Sequence, residues 1–322
     1  MILLCGIRTE PPLAMVATAL EALGVDFRVV HQRDVASHKI RWRLDAGLVS
    51  GSLDLDGDTI DLATVDGVYL RLMDDTLLPE LADLSADDPA RTHARGFHEA
   101  LFRWSELSPA RVVNHAEPQG SNGSKPYQAQ LIAAHGFAPP PTLITTDPAA
   151  VLVFRAEHGR LIYKSISGIR SVVKVLEDAD IERLDRIGWC PVQFQKAIDG
   201  ANIRVHVVGD AVFPTEIHST HIDYRYAKRH GGETTLAAIT LPPEIAARCV
   251  ALTQSLGLAF AGIDLIRTES GDYYCFEVNP QPAFSYFEAN TGQPIADGVA
   301  RYLAGLPIPT AKRTRSRRAK PR

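Results

Sequence analysis

The most constraining feature of this sequence is a pair of alternating apolar and polar stretches near the C-terminal end, AGIDLIRT and YYCFEVNP. A short turn-forming stretch separates them, so they are predicted to pair as an antiparallel hairpin. Side chains alternate between the two faces of a strand, so Glu277 and Asn279 point to one side, where Asp264 of the partner strand can join them. An otherwise apolar hairpin therefore gathers three oxygen-bearing side chains.

Two carboxylates in such a place need a counter-charge. Without one, burial is costly or shifts a pKa until one carboxylate is protonated. A divalent cation removes this cost, and a ligand set of oxygens without His or Cys favours the hard ion Mg²⁺. Since Mg²⁺ usually combines a few carboxylates with phosphates and water, the hairpin predicts Mg²⁺ that holds a nucleotide.

The remainder of the chain predicts a globular α/β protein. Its 322 residues, of which 45% are hydrophobic, are enough for a sizeable core. The strand MILLCG, the helix PPLAMVATALEALG and the strand DFRVV predict an α/β layer with parallel pairing. No apolar run reaches the roughly 18 residues of a membrane span, and a signal peptide is lacking, so we expect a cytoplasmic protein without a membrane partner. The four scattered cysteines predict reduced thiols.

The segment AKRTRSRRAKPR at the C-terminus holds seven of the 34 basic residues and no acid. Without it, 27 basic residues stand against 38 acidic ones, a net charge of −11. Such a tail is predicted to be disordered, because like charges repel and nothing apolar is present to bury. It could attract nucleic acid, but a solubilising tail is the more common outcome, and we assign it no function.

Three further positions are candidates for anion binding. Lys125 opens a helix predicted from about residue 124 to 135, where it is either a solvated surface lysine or shares an anion with the helix N-terminus. Lys164 ends an apolar strand and precedes a loop with Ser and Gly, which lacks the P-loop pattern. In the strand NIRVHVV, the polar side chains, among them Arg204, share one face, which a solvent-facing sheet explains equally well.

The order and spacing of these motifs resemble the ATP-grasp superfamily over residues 114–305, and the preceding region is similar to its pre-ATP-grasp domain. The segments DYRY and FEVNPQPAFSYFEANTGQPIADGVARYLAG are similar to the ligases that crosslink ribosomal peptides, the graspetide or microviridin-type macrocyclases, which are close to the RimK-type ligases. The motifs that carry the resemblance are Asn114, Lys125, Lys164, VQFQKAI, NIRVHVVGD and GIDL with FEVNP.

The resemblance implies an α/β ATP-grasp fold with four parts: a pre-ATP-grasp domain at 1–113, a central subdomain at 114–196, a C-terminal subdomain with the metal site at 197–305, and the tail at 306–322. It implies ATP and Mg²⁺ as cofactors. The implied contacts are Lys125 and Lys164 with the phosphates and the adenine side, the backbone around Gln195 and Lys196 with the adenine edge, Asp264, Glu277 and Asn279 with Mg²⁺, and Arg204 with the transferring phosphoryl group.

Some residues depart from the family pattern or have a second explanation. Arg225 in DYRY could steer an anionic substrate, and a salt bridge to Asp223 explains it as well. Many relatives have an acid where Lys196 and Asn202 stand here, and the loop after Lys164 has fewer glycines than usual. These departures affect the nucleotide pocket more than the metal site.

The implied activity is an ATP-dependent ligase that forms an amide or ester through an acyl phosphate. The macrocyclase resemblance implies a precursor peptide as partner, with both reacting groups on its side chains. A ligase for a small-molecule carboxylate and amine or for a protein terminus, as in RimK-like enzymes, is the alternative of the same chemistry. A non-catalytic nucleotide-binding regulator is the alternative from another class. The oligomeric state, including a homodimer, stays open.

Overall fold

The computed structural model describes residues 1–166, 173–219 and 234–309. Arg225 and nearly all of the basic tail therefore lie outside the described residues. Among the residues that are described, no helix has the length and apolar character that a membrane crossing needs.

The N-terminal region is built on a four-stranded parallel sheet with the order β2-β1-β6-β7. The expected strand–helix–strand opening is confirmed, because β1 and β2 pair in parallel on either side of α1 in sequence. The elements are β1 (Ile2–Gly6), α1 (Pro11–Ala22), β2 (Phe27–His31), β3 (Lys39–Asp45), β4 (Leu48–Leu55), β5 (Asp58–Asp61), β6 (Gly67–Arg71), α2 (Pro89–Leu107) and β7 (Arg111–Val113).

A small antiparallel sheet, β3-β4-β5, extends from this region. A tight turn at Asp56 and Gly57 joins β4 and β5, and both residues have positive φ, as such a turn requires. Helix α2 begins at Pro89, where the side chain of Asp88 accepts a hydrogen bond from the N–H of Ala90 and caps the helix.

The middle region contains a second sheet of antiparallel strands with the order β10-β9-β11-β8. Helix α3 begins at Lys125, as the sequence predicts, and Gly136 with positive φ follows its end. The elements are α3 (Lys125–Ala134), β8 (Thr142–Thr145), α4 (Pro148–His158), β9 (Leu161–Ser165), β10 (Lys174–Val175), α5 (Asp178–Ile181) and β11 (Val192–Lys196).

The C-terminal region contains a five-stranded antiparallel sheet with the order β14-β13-β12-β15-β16. The predicted hairpin β15–β16 is present, and β12 and β13 form a second one. The elements are β12 (Ala201–Val208), β13 (Ala211–Ser219), β14 (Thr234–Ala238), α6 (Pro243–Ser255), β15 (Phe260–Arg267), β16 (Tyr273–Asn279), α7 (Ser285–Thr291) and α8 (Ile295–Ala304).

One apolar cluster joins the two ends of the chain. Leu4 and Leu13 of the first α/β layer pack in the same buried cluster as Phe213 of the five-stranded sheet and Val299 of α8. Each of these side chains is at most 4% exposed. The first sheet is thereby held against the five-stranded sheet, and the carboxyl ends of β1 and β6 come close to the end of β16.

Candidate active site

Three charged side chains form a row across the five-stranded sheet. Asp264 of β15 lies directly opposite Glu277 of β16 on one side and Arg204 of β12 on the other. Nη1 of Arg204 donates a 2.7 Å hydrogen bond to Oδ1 of Asp264. Arg204 is only 6% exposed, so the polar face of β12 is buried and does not face solvent. The alternation of side chains thus brings together the two predicted acids and the predicted arginine.

A glycine in the neighbouring row makes room for the arginine. Gly262 of β15 lies opposite His206 and Asn279, one step along the sheet from the charged row. The guanidinium group of Arg204 occupies the space above it, since a Cβ atom on Gly262 would be 2.2 Å from Nη2 of Arg204. The missing side chain at this position therefore sets where the arginine lies.

Asn279 is held in one orientation by a local turn. Its Oδ1 atom accepts a 2.8 Å hydrogen bond from the backbone N–H of Gln281. An amide oxygen has two lone pairs, so this bond leaves one for a further partner. Asn279 shares the face of Glu277, two residues away on the same strand.

Two lysines surround Glu277. Nζ of Lys125, at the first position of α3, lies 3.1 Å from Oε2 of Glu277. Burial raises the pKa of Glu277, but the charge and hydrogen bond of Lys125, followed by the charges of Lys164 and Arg204, outweigh it and lower that pKa below its ordinary value of 4.5. The lowered pKa keeps Glu277 ionised, with Lys125 in contact and the charges of Lys164 and Arg204 adding to the effect.

The second sheet presents a row of amides beside Lys164. Gln193 of β11 is directly opposite Lys164 of β9, and Gln195, two residues further along β11, lies on the same face as Gln193. Gln195 donates a 2.9 Å hydrogen bond to Oγ1 of Thr142. In the described part of the chain, the buried Oε1 atoms of Gln193 and Gln195 have no hydrogen-bond partner. Buried polar atoms of this kind usually have one, so this face offers acceptors to a ligand with N–H groups, such as adenine.

The side chain of Lys196 does not belong to this row. Strand alternation places it on the other face of β11, with Phe194. Its backbone N–H is engaged in a 3.0 Å hydrogen bond to the carbonyl of Pro141. A contact between this point of the backbone and an adenine edge would therefore need a carbonyl group.

Sequence reasoning missed the residues that pin the end of β16. The side-chain amide of Gln128 on α3 makes both a donor and an acceptor bond with the backbone of Val278, at 2.8 and 2.9 Å. The amide of Asn114 bonds to the carbonyls of Pro280 and Phe260 and accepts two N–H groups from the start of β15. Asn114 was recognised as a motif residue, but these partners, more than 140 positions away, leave no local signal.

The charged row and its surroundings fit Mg²⁺ and a nucleotide. Two carboxylates and an amide oxygen on one sheet face are hard oxygen ligands of the kind that Mg²⁺ prefers. Lys125, Lys164 and Arg204 supply positive charge for phosphate oxygens around them. Another polar cavity, of about 270 Å³ between β2 and the small sheet, contains none of these residues. We therefore place the candidate site on the face of the five-stranded sheet.

Sequence comparison finds a matching family model and related proteins. A family model described as the RimK-like ATP-grasp domain matches residues 128–303, more than half of the chain. A probable alpha-L-glutamate ligase of Photobacterium profundum is 27% identical over 215 residues, which cover 63% of this chain and 70% of that protein.

Solved structures of similar shape cover nearly the whole chain. The ATP-grasp ligase PsnB, complexed with a minimal precursor, has a TM-score of 0.77 and 27% identity, with 94% of this chain and 98% of that chain covered. The macrocyclase MdnC of Microcystis aeruginosa, bound with the precursor peptide MdnA, has a TM-score of 0.74 and 21% identity, with 95% and 100% covered. At that identity the second likeness shows the fold alone.

Proposed function

The chain belongs to the RimK-like ATP-grasp family, and we propose that it crosslinks side chains of a precursor peptide through amide or ester bonds. The predicted fold class and the predicted ATP-grasp ligase activity are confirmed by the family match and the likeness to solved ligases. The peptide substrate, the Mg²⁺ ion and the roles of individual residues are parts of the proposal.

The convergence of charge at Glu277 carries this proposal. Glu277 is paired with Lys125 and the neighbouring Asp264 with Arg204, the charge of Lys164 also lowers the pKa of Glu277, and Asn279 lies on the same sheet face. These residues come from both ranges, 114–196 and 197–305, that we propose as the two ATP-grasp subdomains. A phosphoryl group with several charged oxygens needs such an arrangement, because its transfer is catalysed mainly by positioning and by neutralising charge.

The chemistry begins with a poor electrophile. A carboxylate of the substrate attacks the terminal phosphoryl group of ATP and becomes an acyl phosphate, and ADP leaves. Mg²⁺, when bound, neutralises charge on the phosphate oxygens. Asp264, Glu277 and Asn279 would hold it through oxygen atoms, and Lys125 and Lys164 would contact phosphate oxygens.

Arg204 is the residue that we assign to the reacting group. Its guanidinium is fixed over Gly262 and bonded to Asp264, so its remaining N–H groups are held in one orientation. It would stabilise the charge of the transferring phosphoryl group and then of the acyl phosphate. An amine or hydroxyl then attacks the acyl carbon. The bond between this carbon and the phosphate oxygen breaks, phosphate leaves, and the nucleophile loses its proton. The product is an amide or an ester.

A peptide substrate is supported by the extent of the likeness to PsnB. That structure is complexed with a minimal precursor, and the likeness covers 94% of this chain, including its N-terminal region. A ligase for amino acids or a protein terminus remains the alternative to be tested.

The proposal is tested by mass spectrometry of peptides incubated with the protein and Mg-ATP, with release of phosphate measured in parallel. The peptides are those encoded beside the gene, and free amino acids serve as the comparison. A loss of about 18 Da for each phosphate released would support the proposal, because one water is removed per condensation through an acyl phosphate. Phosphate release with glutamate and no change in any peptide would contradict it.

A further inference from the structure

The end of β16 rests on the first sheet through the side chain of Gln281. Its Nε2 atom donates to the carbonyl of Leu70 at 3.0 Å and to Oε1 of Gln119 at 3.0 Å. Its Oε1 atom lies 3.5 Å from Nη1 of Arg71. Leu70 and Arg71 are the last two residues of β6, so both ends of this amide contact the carboxyl end of one strand of the first sheet.

Arg71 is itself firmly held. It is 9% exposed, and Glu10, the residue before α1, accepts a 2.8 Å hydrogen bond from its Nε and a second one from its Nη2. These residues lie between the carboxyl ends of β1 and β6, where the strand order of the parallel sheet reverses. Ligand sites of open α/β sheets lie at such reversal points.

The contact continues into the proposed metal site. The backbone N–H of Gln281 donates to Oδ1 of Asn279, and that oxygen is one of the three proposed ligands of Mg²⁺. A continuous series of contacts therefore leads from Glu10 through Arg71 and Gln281 to Asn279. A shift of Gln281 would move the donor that orients the Asn279 amide.

We propose that Arg71, in the N-terminal region, and Gln281, just after β16, are positioning residues of the active site, which fix the oxygen of Asn279 for Mg²⁺. This inference rests on the proposed function, and it gives the N-terminal region a part in the metal site besides any contact with substrate. Replacement of a residue that contacts a metal ligand, but not the metal itself, typically lowers metal affinity or activity by about 10- to 100-fold.

The test is a Mg²⁺ titration of ADP binding, measured by calorimetry on the full-length protein. Two variants remove different contacts: Arg71→Gln removes the guanidinium, and Gln281→Leu removes the side-chain amide. In both we expect the half-saturating Mg²⁺ concentration to rise about 10-fold or more, with ADP binding in the presence of a chelator unchanged. Because both act through one series of contacts, the double variant should shift less than the product of the two single shifts.

Arg91→Gln is the matched control. Arg91 forms an ion pair with Asp75 in the same region, with side-chain exposures of 8% and 11%, and it has no place in the series of contacts. Its loss should lower the melting temperature without changing the Mg²⁺ titration. An unchanged titration in Gln281→Leu, or an equal shift in Arg91→Gln, would overturn the inference while the proposed function stands. ADP binding that is independent of Mg²⁺ in the wild-type protein would overturn both.

Discussion

Replacement of Gly262 by alanine should disable the site while it leaves most of the stability intact. The added Cβ atom would lie 2.2 Å from Nη2, 2.5 Å from Cζ and 2.7 Å from Nε of Arg204. All three distances are too short, so the guanidinium must move away from its 2.7 Å hydrogen bond with Asp264. The displaced group is the end of a long side chain rather than backbone, and we expect an overpacking cost of about 1–3 kcal/mol.

The effect on turnover should be much larger than this cost in stability. Loss of one preorganised donor to a developing charge typically lowers kcat by about 10²–10³-fold. The assay is release of phosphate with Mg-ATP and the peptide substrate, with urea denaturation of the same samples. A kcat within about threefold of wild type would refute the position that we assign to Arg204, because loss of that donor should lower kcat by at least about 10²-fold.

Gly96→Ala is the matched control for this experiment. Gly96 lies inside α2, and a Cβ atom there would have no neighbour within 4 Å. Alanine costs less than glycine in a helix, so we expect a gain in stability of about 0.5–1 kcal/mol and unchanged kcat. Loss of turnover in both variants would show that the assay does not distinguish the site from the rest of the fold.

Two further replacements test the buried residues Asn114, which bonds to the backbone next to β15 and β16, and His98 of α2. Asn114→Leu keeps the branched shape of the side chain but removes hydrogen bonds to two carbonyls and two N–H groups, so urea denaturation should show a loss of about 4 kcal/mol. A loss below about 1 kcal/mol would contradict this. Burial lowers the pKa of His98 from 6.5 to about 4. Between pH 6.5 and pH 4, His98 is protonated in the unfolded chain but not in the folded protein. The contribution of His98 to the wild-type free energy of unfolding is therefore highest above pH 6.5 and falls as the pH drops to 4. At pH 5 the wild-type protein has lost about 2 kcal/mol of its free energy of unfolding through His98, and His98→Gln should not show this loss. If the free energy of unfolding falls equally between pH 7 and pH 5 in wild type and His98→Gln, the prediction is wrong.

Local patterns in the sequence were sufficient for the two hairpins and for the shared face of Asp264, Glu277 and Asn279. The alternation of Asp264, Glu277 and Asn279 predicts that they share a face, because the period of a strand is fixed at two residues. The turn at Gly209 and Asp210 predicts the β12–β13 hairpin in the same way. In both cases neighbouring residues determine the outcome, so no knowledge of the rest of the chain is required.

The residues that fix the site could not be predicted from such patterns. Gln128 and Gln281 act through hydrogen bonds to backbone atoms 150 and 211 positions away. An amide on a helix or in a loop has no local feature that indicates such a partner. The place of Gly262 under Arg204 depends on the pairing of β12 with β15, which only the assembled sheet reveals. Arg225 lies outside the described residues, so its predicted role is a matter for mutagenesis.

The most direct test of the account is the rate of phosphate release by Glu277→Gln over a range of Mg²⁺ concentrations. The replacement keeps the size of the side chain and removes the charge on which Lys125, Lys164 and Arg204 converge. We predict a folded protein, with a melting temperature somewhat below that of wild type because Lys125 loses its partner, in which turnover is abolished at every Mg²⁺ concentration. Turnover at the wild-type rate, with the wild-type dependence on Mg²⁺, would contradict the assignment of this face as the active site.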